Sequence, residues 1–276
     1  MAQIKRTIGR GLWNLERFGL TPGKILLRIR PGDGPRAFCI SVPKAGTHLL
    51  ERALCLHPQL YRKLLPTIRS NNLERHGGIE RVVARLKPGQ LAMSHLHFDP
   101  TADELFGRSG VGSVFLIRDP RDMVVSEAFY LVSGDTRHRL HRMFAEQATM
   151  KDRIMLLLRG DPEHGVVATG RKLERYAGWL DSQALVVRFE DLVGAAGGGD
   201  DDARTLALRA VFEHLGLASD DELVAGIGDR LFSSRSPTFH KGSIGQWRKH
   251  FDPEIEEAFA GAVGDAMARY GYAGAR

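Results

Sequence analysis

Cysteine is scarce in this chain. Only Cys39 and Cys55 occur among 276 residues, with no C-x-x-C pair, so cysteine alone cannot build a zinc site. Both stand in apolar surroundings, which predicts buried free thiols, and a cytoplasmic, reducing compartment fits. No apolar run approaches the ~20 residues that a membrane-spanning helix needs. The opening residues, Met1 to Arg6, lack the continuous apolar core and small-residue cleavage site of a secretory signal, so none is expected. No internal repeat is visible. No basic stripe with interleaved aromatics appears, so a nucleic-acid partner is not expected. The net charge of +6, from 39 Lys and Arg against 33 Asp and Glu, permits a polyanionic ligand. A solvated basic surface explains most of it equally well.

What is present is a globular composition, 43% hydrophobic and 26% charged, over a length that suits one sizeable α/β domain or two small ones. Short apolar runs at 37–42, 113–117 and 184–188 read as buried parallel strands. Helical patterning follows each, at 47–56, 121–132 and 203–215. Asp200 to Asp202 favour the start of the last of these helices, Gly216 its end, and Ala195 to Gly199 a flexible loop before it. This alternation predicts a single α/β domain with a central parallel sheet flanked by helices over 37–276, with ligands at the carboxyl ends of the strands. Residues 1–36 form a separate basic, amphipathic extension. Ile4, Ile8, Leu12 and Leu15 fall at helical spacing, and Arg6, Arg10 and Arg17 follow another face. Such a helix either packs on its own domain or lies on an anionic membrane surface, which leaves peripheral membrane contact through residues 1–30 open.

Three segments carry chemistry. In the first, the strand at 37–42 ends in Pro43-Lys44-Ala45-Gly46-Thr47, and a helix opens near His48. A strand, a tight loop and a helix N-terminus make an anion site, because free backbone N–H groups and the helix dipole both favour negative charge. The loop is shorter than the Walker form, and its lysine precedes the glycine, so it is P-loop-like without being an ordinary ATP loop. In the second, the strand ending at Ile117 runs into Arg118-Asp119-Pro120-Arg121-Asp122, with Ser126 eight residues beyond Arg118. Arg118 can present a bidentate fork to a phosphate, and Ser126 its hydroxyl, unless the charged turn is a structural salt-bridge cluster. The third, Phe239 to Phe251, sets Gly242 and Gly245 among His240, Lys241, Arg248 and Lys249. It reads as a flexible basic loop anchored by Phe239 and Trp247, or as an exposed surface loop.

In order and wording these segments resemble the cytosolic-type sulfotransferases that use 3′-phosphoadenosine 5′-phosphosulfate (PAPS). The resemblance runs from about residue 37 to 251, and Arg188-Phe189-Glu190-Asp191-Leu192 matches a fourth family segment. It implies that Lys44 contacts the oxygen bridging phosphate and sulfate. It also implies that Ala45, Gly46, Thr47 and His48 wrap the 5′-phosphate, with Leu49 following them. Arg118 and Ser126 would hold the 3′-phosphate with Lys241 and Gly242, and Phe189 would border the adenine. PAPS would be the cosubstrate, 3′,5′-diphosphoadenosine (PAP) the product, and no metal is required. Two departures stand out: His240 replaces the family's loop arginine, and Leu49 replaces a common aromatic.

Ala92 to Phe98 resembles the family segment that carries the general base, and His95 is the matching histidine. His97, where the family has proline, and Glu51, on a stretch resembling the carbohydrate-type enzymes, compete for that role. The resemblance implies sulfuryl transfer to a hydroxyl, or less readily an amine, of a small-molecule, lipid or carbohydrate acceptor. A small-molecule P-loop kinase and a non-catalytic adenosine-phosphate-binding or membrane-docking module are the alternatives. The acceptor would be chosen by loops at 60–80 and 131–165, which carry no motif. Arg137, His138, Arg139, His141 and Arg142 there could face an anionic or sugar acceptor, or form an exposed helix face.

Overall fold

The computed structural model describes residues 33–63, 66–134, 136–231 and 243–272. The apolar stripe of the N-terminal extension and the loop residues His240, Lys241 and Gly242 lie outside them.

The chain runs β1 (Arg36–Ser41), α1 (Thr47–Leu56), β2 (Tyr61–Arg62), β3 (Ile68–Arg69), α2 (Gly78–Ala84), β4 (Gln90–His95), α3 (Pro100–Arg108), β5 (Val111–Ile117) and α4 (Pro120–Phe129). It continues with α5 (His141–Ala145), α6 (Met150–Arg159), α7 (Thr169–Ala177), β6 (Leu185–Arg188), α8 (Phe189–Leu192), α9 (Asp201–His214), α10 (Asp221–Leu231) and α11 (Pro253–Arg269). The sheet order is β2-β4-β1-β5-β6, all parallel, with β3 lying beside the carboxyl end of β4. All three expected strands are present. β1 and β5 are buried on both faces, with Ala37, Phe38, Cys39 and Ile40 on β1 and Val114 to Leu116 on β5 fully covered, whereas β6 is an edge strand in which only Val187 is buried. Both cysteines are free and buried, and burial pushes the Cys39 thiol well up.

Three strands escaped the sequence pattern. β2 and β3 have two residues each, and β4 ends in Ser94 and His95, which break its apolar run. The helix starts follow from capping. Asp119 accepts from the Arg121 N–H at α4 (2.9 Å), and Asp200 from the Ala203 N–H at α9 (2.8 Å). The expected third helix thus begins at Asp201, and Gly216, in the left-handed region, follows its end. The second ends earlier than expected, at Phe129, and passes into a π-type turn over Tyr130–Gly134. The Ala195–Gly199 segment is a hydrogen-bonded turn rather than a loose loop. Gly197, Gly198 and Gly199 donate back within it, and the Gly197 carbonyl accepts from Ile244.

β4 and β5 stand on opposite sides of β1. The chain therefore crosses over between them, which leaves a crevice above the carboxyl ends of the three strands.

Candidate functional site

The phosphate-type loop stands on that crevice. Lys44 adopts a left-handed backbone (φ 73°), and Gly46 follows at φ 102°, so the chain turns sharply from β1 into α1. Gly46 is required there twice over. Its φ suits glycine, and a Cβ would lie 2.4 Å from Phe189 Cδ2. The loop is pinned by the Ala45 N–H donating to the Val42 carbonyl (3.0 Å). The N–H groups of Thr47 and His48, in the first turn of α1, have no carbonyl to meet within the helix and remain donors toward the crevice.

Lys44 Nζ lies 3.8 Å from the centroid of the Tyr130 ring. Burial lowers its pKa to about 8, against the opposing pull of Glu127 and with help from Arg118. Arg118, at the tip of β5, is buried. Its guanidinium lies over the Phe189 ring (4.4 Å), donates to the Ser243 carbonyl (3.2 Å) and sits 3.5 Å from Asp122. Its Nε has no partner among the described residues. The salt-bridge reading of this turn is correct for Arg121, which closes on Asp119 at 2.7 Å, and incomplete for Arg118.

Asp122, read in the sequence only as part of the salt-bridge cluster, organises this half of the site. Its two oxygens accept the N–H groups of Gly245 (2.8 Å) and Trp247 (3.0 Å). The loop that was expected to be flexible is thus tied down from Ser243 onward. Trp247 is buried, with Arg121 4.1 Å over its ring. Glu190 likewise holds the Asp119 N–H (3.0 Å) and the Tyr272 hydroxyl (2.7 Å). Ser126 follows Asp122 by four residues, so the two share one side of α4. Ser126 is half-buried there.

His95 ends β4 beside β1. Its Nδ1 lies 2.8 Å from the Ser41 carbonyl, which can only accept, so Nδ1 carries the proton and Nε2 keeps a free lone pair. Ser41 Oγ stands 3.3 Å from the same nitrogen and 2.7 Å from Thr47 Oγ1, linking the histidine to the phosphate-type loop. Burial, and then the charges of Arg69, His48 and Lys44, lower the His95 pKa to about 4 against the pull of the Ser41 bond. The ring is therefore neutral near pH 7.

The two competitors are placed differently. Both Glu51 oxygens are engaged, one by Arg62 and one by His48 Nδ1 (3.0 Å), and the carboxylate is fully buried. His97 lies edge-on to Tyr176 (5.2 Å), its pKa lowered by burial and Arg175. Leu49 packs on the core as a partly buried side chain. In the 137–142 cluster, Arg139 donates to the Gly165 carbonyl (2.7 Å), His141 Nδ1 meets the Leu131 carbonyl (2.9 Å) and Arg142 pairs with Glu146 (2.8 Å). These contacts favour the exposed-face alternative. The roles missed were those of polar residues inside apolar runs or motifs: Ser41 beside His95, and Asp122 and Glu190 as holders of backbone N–H groups.

Among the described residues no group of His, Cys, Asp or Glu side chains is placed to hold a metal ion. No described helix is long and apolar enough to cross a membrane.

No protein-family model matches the chain. It is 25% identical over 262 residues to a 3-alpha-hydroxysteroid sulfotransferase of Cavia porcellus, covering 84% of this chain and 83% of the relative. It is 24% identical over 260 residues to sulfotransferase 2A6 of Mus musculus, covering 83% and 82%. Among solved structures it is similar to mouse sulfotransferase SULT7A1 complexed with PAP, with a TM-score of 0.62 and 19% identity over 90% of each chain. It is also similar to retinol dehydratase in complex with androsterone and PAP, with a TM-score of 0.57 and 15% identity over 84% of this chain and 80% of that one. The fold is shared with both, and the curated relatives support the sulfotransferase family that the motifs suggested.

Proposed function

We propose that this chain, whose curated relatives are sulfotransferases, transfers a sulfuryl group from PAPS to a hydroxyl of a small-molecule acceptor. One observation carries the reading: a neutral histidine with a free Nε2, tied through Ser41 to a lysine-bearing phosphate loop. The unpartnered buried Nε of Arg118 and the open N–H groups of Thr47 and His48 fit a ligand with two phosphate positions. His240, Lys241 and Gly242 are assigned to the 3′-phosphate from the family resemblance alone.

In this reading the acceptor oxygen attacks sulfur in line while His95 Nε2 takes its proton. The bond from sulfur to the bridging oxygen breaks, and the electron pair stays on the phosphate. Lys44 and the loop amides lie where that charge grows, which is the effect from which enzymes usually gain most. Tyr130 holds the Lys44 ammonium against its ring, a contact that favours the charged form inside a site where burial opposes it. Retinol dehydratase is described with androsterone and with retinol, which favours a small-molecule acceptor here as well.

Calorimetry with PAP, AMP and ATP tests the donor. Binding of PAP at least tenfold tighter than AMP is expected, with the margin lost in Arg118→Ala. Preference for ATP would favour a kinase, and tight PAP binding with no transfer would favour a binding module.

A further inference from the structure

The acceptor side of the crevice carries an arginine that neither the motifs nor the comparisons assign. Arg69 is the last residue of β3, and its register partner is His95. Partners in a parallel sheet lie ~4.8 Å apart and point to the same face, so the arginine stands beside the base. The preceding pair, Ile68 and Ser94, is buried on the opposite face.

The perch is built. The Arg69 N–H donates to Asn72 Oδ1 (2.7 Å), Asn72 Nδ2 donates to the Thr67 carbonyl (3.2 Å), and the His97 N–H donates to Ser70 Oγ (2.9 Å). The turn at 67–72 is thereby braced against β4, yet Arg69 itself is exposed. Among the described residues no carboxylate lies within ion-pair distance of it.

The neighbours do not supply that missing anion. Lys44 and His48 from the β1 to α1 segment, and Arg175 from α7, add positive charge around His95, His97 and Tyr176. Glu127 acts on Tyr176 and Lys44 but is ion-paired with Lys172. A guanidinium carried on a braced turn beside a general base, exposed and without a counter-ion, is a receptor for a planar or tetrahedral anion.

We propose that Arg69 is a specificity-determining residue that binds an anionic group of the acceptor. The preferred substrates are then hydroxyl compounds carrying a carboxylate, sulfate or phosphate a few bonds from the attacking oxygen. The idea rests on the sulfuryl-transfer reading for what happens at the hydroxyl, not for the preference itself. Binding has a chemical consequence. An anion at Arg69 offsets positive charge that otherwise disfavours imidazolium at His95, so the bound acceptor strengthens its own base.

The test compares two matched pairs, 4-hydroxybenzoate with its methyl ester and 3-hydroxybutyrate with its methyl ester. Affinity for the PAP-loaded protein is read by calorimetry, and transfer with labelled PAPS, for wild type, Arg69→Leu and Arg69→Lys. The acid of at least one pair is expected to be favoured at least tenfold, with the preference lost in Arg69→Leu, partly restored in Arg69→Lys, and the ester affinities unaffected. A wild type with no acid preference, or a preference that survives Arg69→Leu, overturns the proposal. Equal losses for acid and ester would also overturn it by marking Arg69 as structural. The same affinities are read without PAP, so failure of PAP binding would count against the sulfuryl-transfer reading alone.

Discussion

The two halves of the crevice are built in different ways. The half that we propose takes the donor is a lattice in which carboxylates hold backbone amides. Asp122 fastens Gly245 and Trp247, Glu190 fastens Asp119, and Gly46 lets the loop lie against Phe189. The acceptor half is assembled from the ends of β3 and β4, which bring the exposed Arg69 beside His95. A donor shared by many reactions needs one rigid cradle with little freedom. An acceptor that differs from one enzyme to the next is met by residues that can change without disturbing the sheet.

Substitutions can break this division. Lys44→Ala removes a donor aimed at the developing charge, and transfer should fall about 10²–10³-fold with the thermal midpoint little changed. Single-turnover kinetics beside a melting curve read both. Next, Asp122→Ala leaves two buried N–H groups and Arg118 without their carboxylate. At about 1.5–3 kcal/mol for a hydrogen bond to a charged group, PAP affinity should drop ~10–100-fold while the acceptor KM holds. An acceptor KM that rises in step would show that the halves are not separable.

Acidity sharpens the contrast. With Lys44 at about 8 and His95 at about 4, kcat/KM should plateau between these values. It should fall below about 4 as His95 gains a proton, and above about 8 as Lys44 loses one. A bound phosphosulfate favours the charged lysine, so the alkaline limb of kcat should lie at higher pH than that of kcat/KM. Coincident limbs would detach Lys44 from the donor. The smallest effect belongs to Tyr130. Replacing the ring with leucine should slow transfer about 3- to 30-fold and lower the alkaline limb, since a cation–π contact is worth about 0.5–2 kcal/mol. Tyr130→Phe should restore both, and a loss in the phenylalanine variant equal to that of leucine would assign the effect to the hydroxyl instead.

The same division explains what could be read from the sequence. β1 and β5 were legible because strands buried on both faces leave unbroken apolar runs, and β6 because Leu185, Val186 and Val187 form such a run although only Val187 is buried. The loop at Lys44 and the turn at Arg118 were legible because anion binding at a strand end needs a fixed local spacing. β2 and β3 are too short to leave a period, and β4 is masked by Ser94 and His95. Asp122 stayed hidden because its partners, Gly245 and Trp247, are 123 and 125 positions away. Arg69 was hidden for the same reason, since only the register of β3 against β4 brings it to His95.

The measurement that bears most directly on the account is transfer of label from [35S]PAPS to the hydroxyl acids and esters above, in purified wild type and His95→Ala. The account predicts one PAP released per labelled acceptor in wild type, and a rate at least 100-fold lower in His95→Ala, which should still bind PAP. Wild-type-like turnover in His95→Ala, or phosphoryl transfer from ATP in place of sulfuryl transfer, would contradict it.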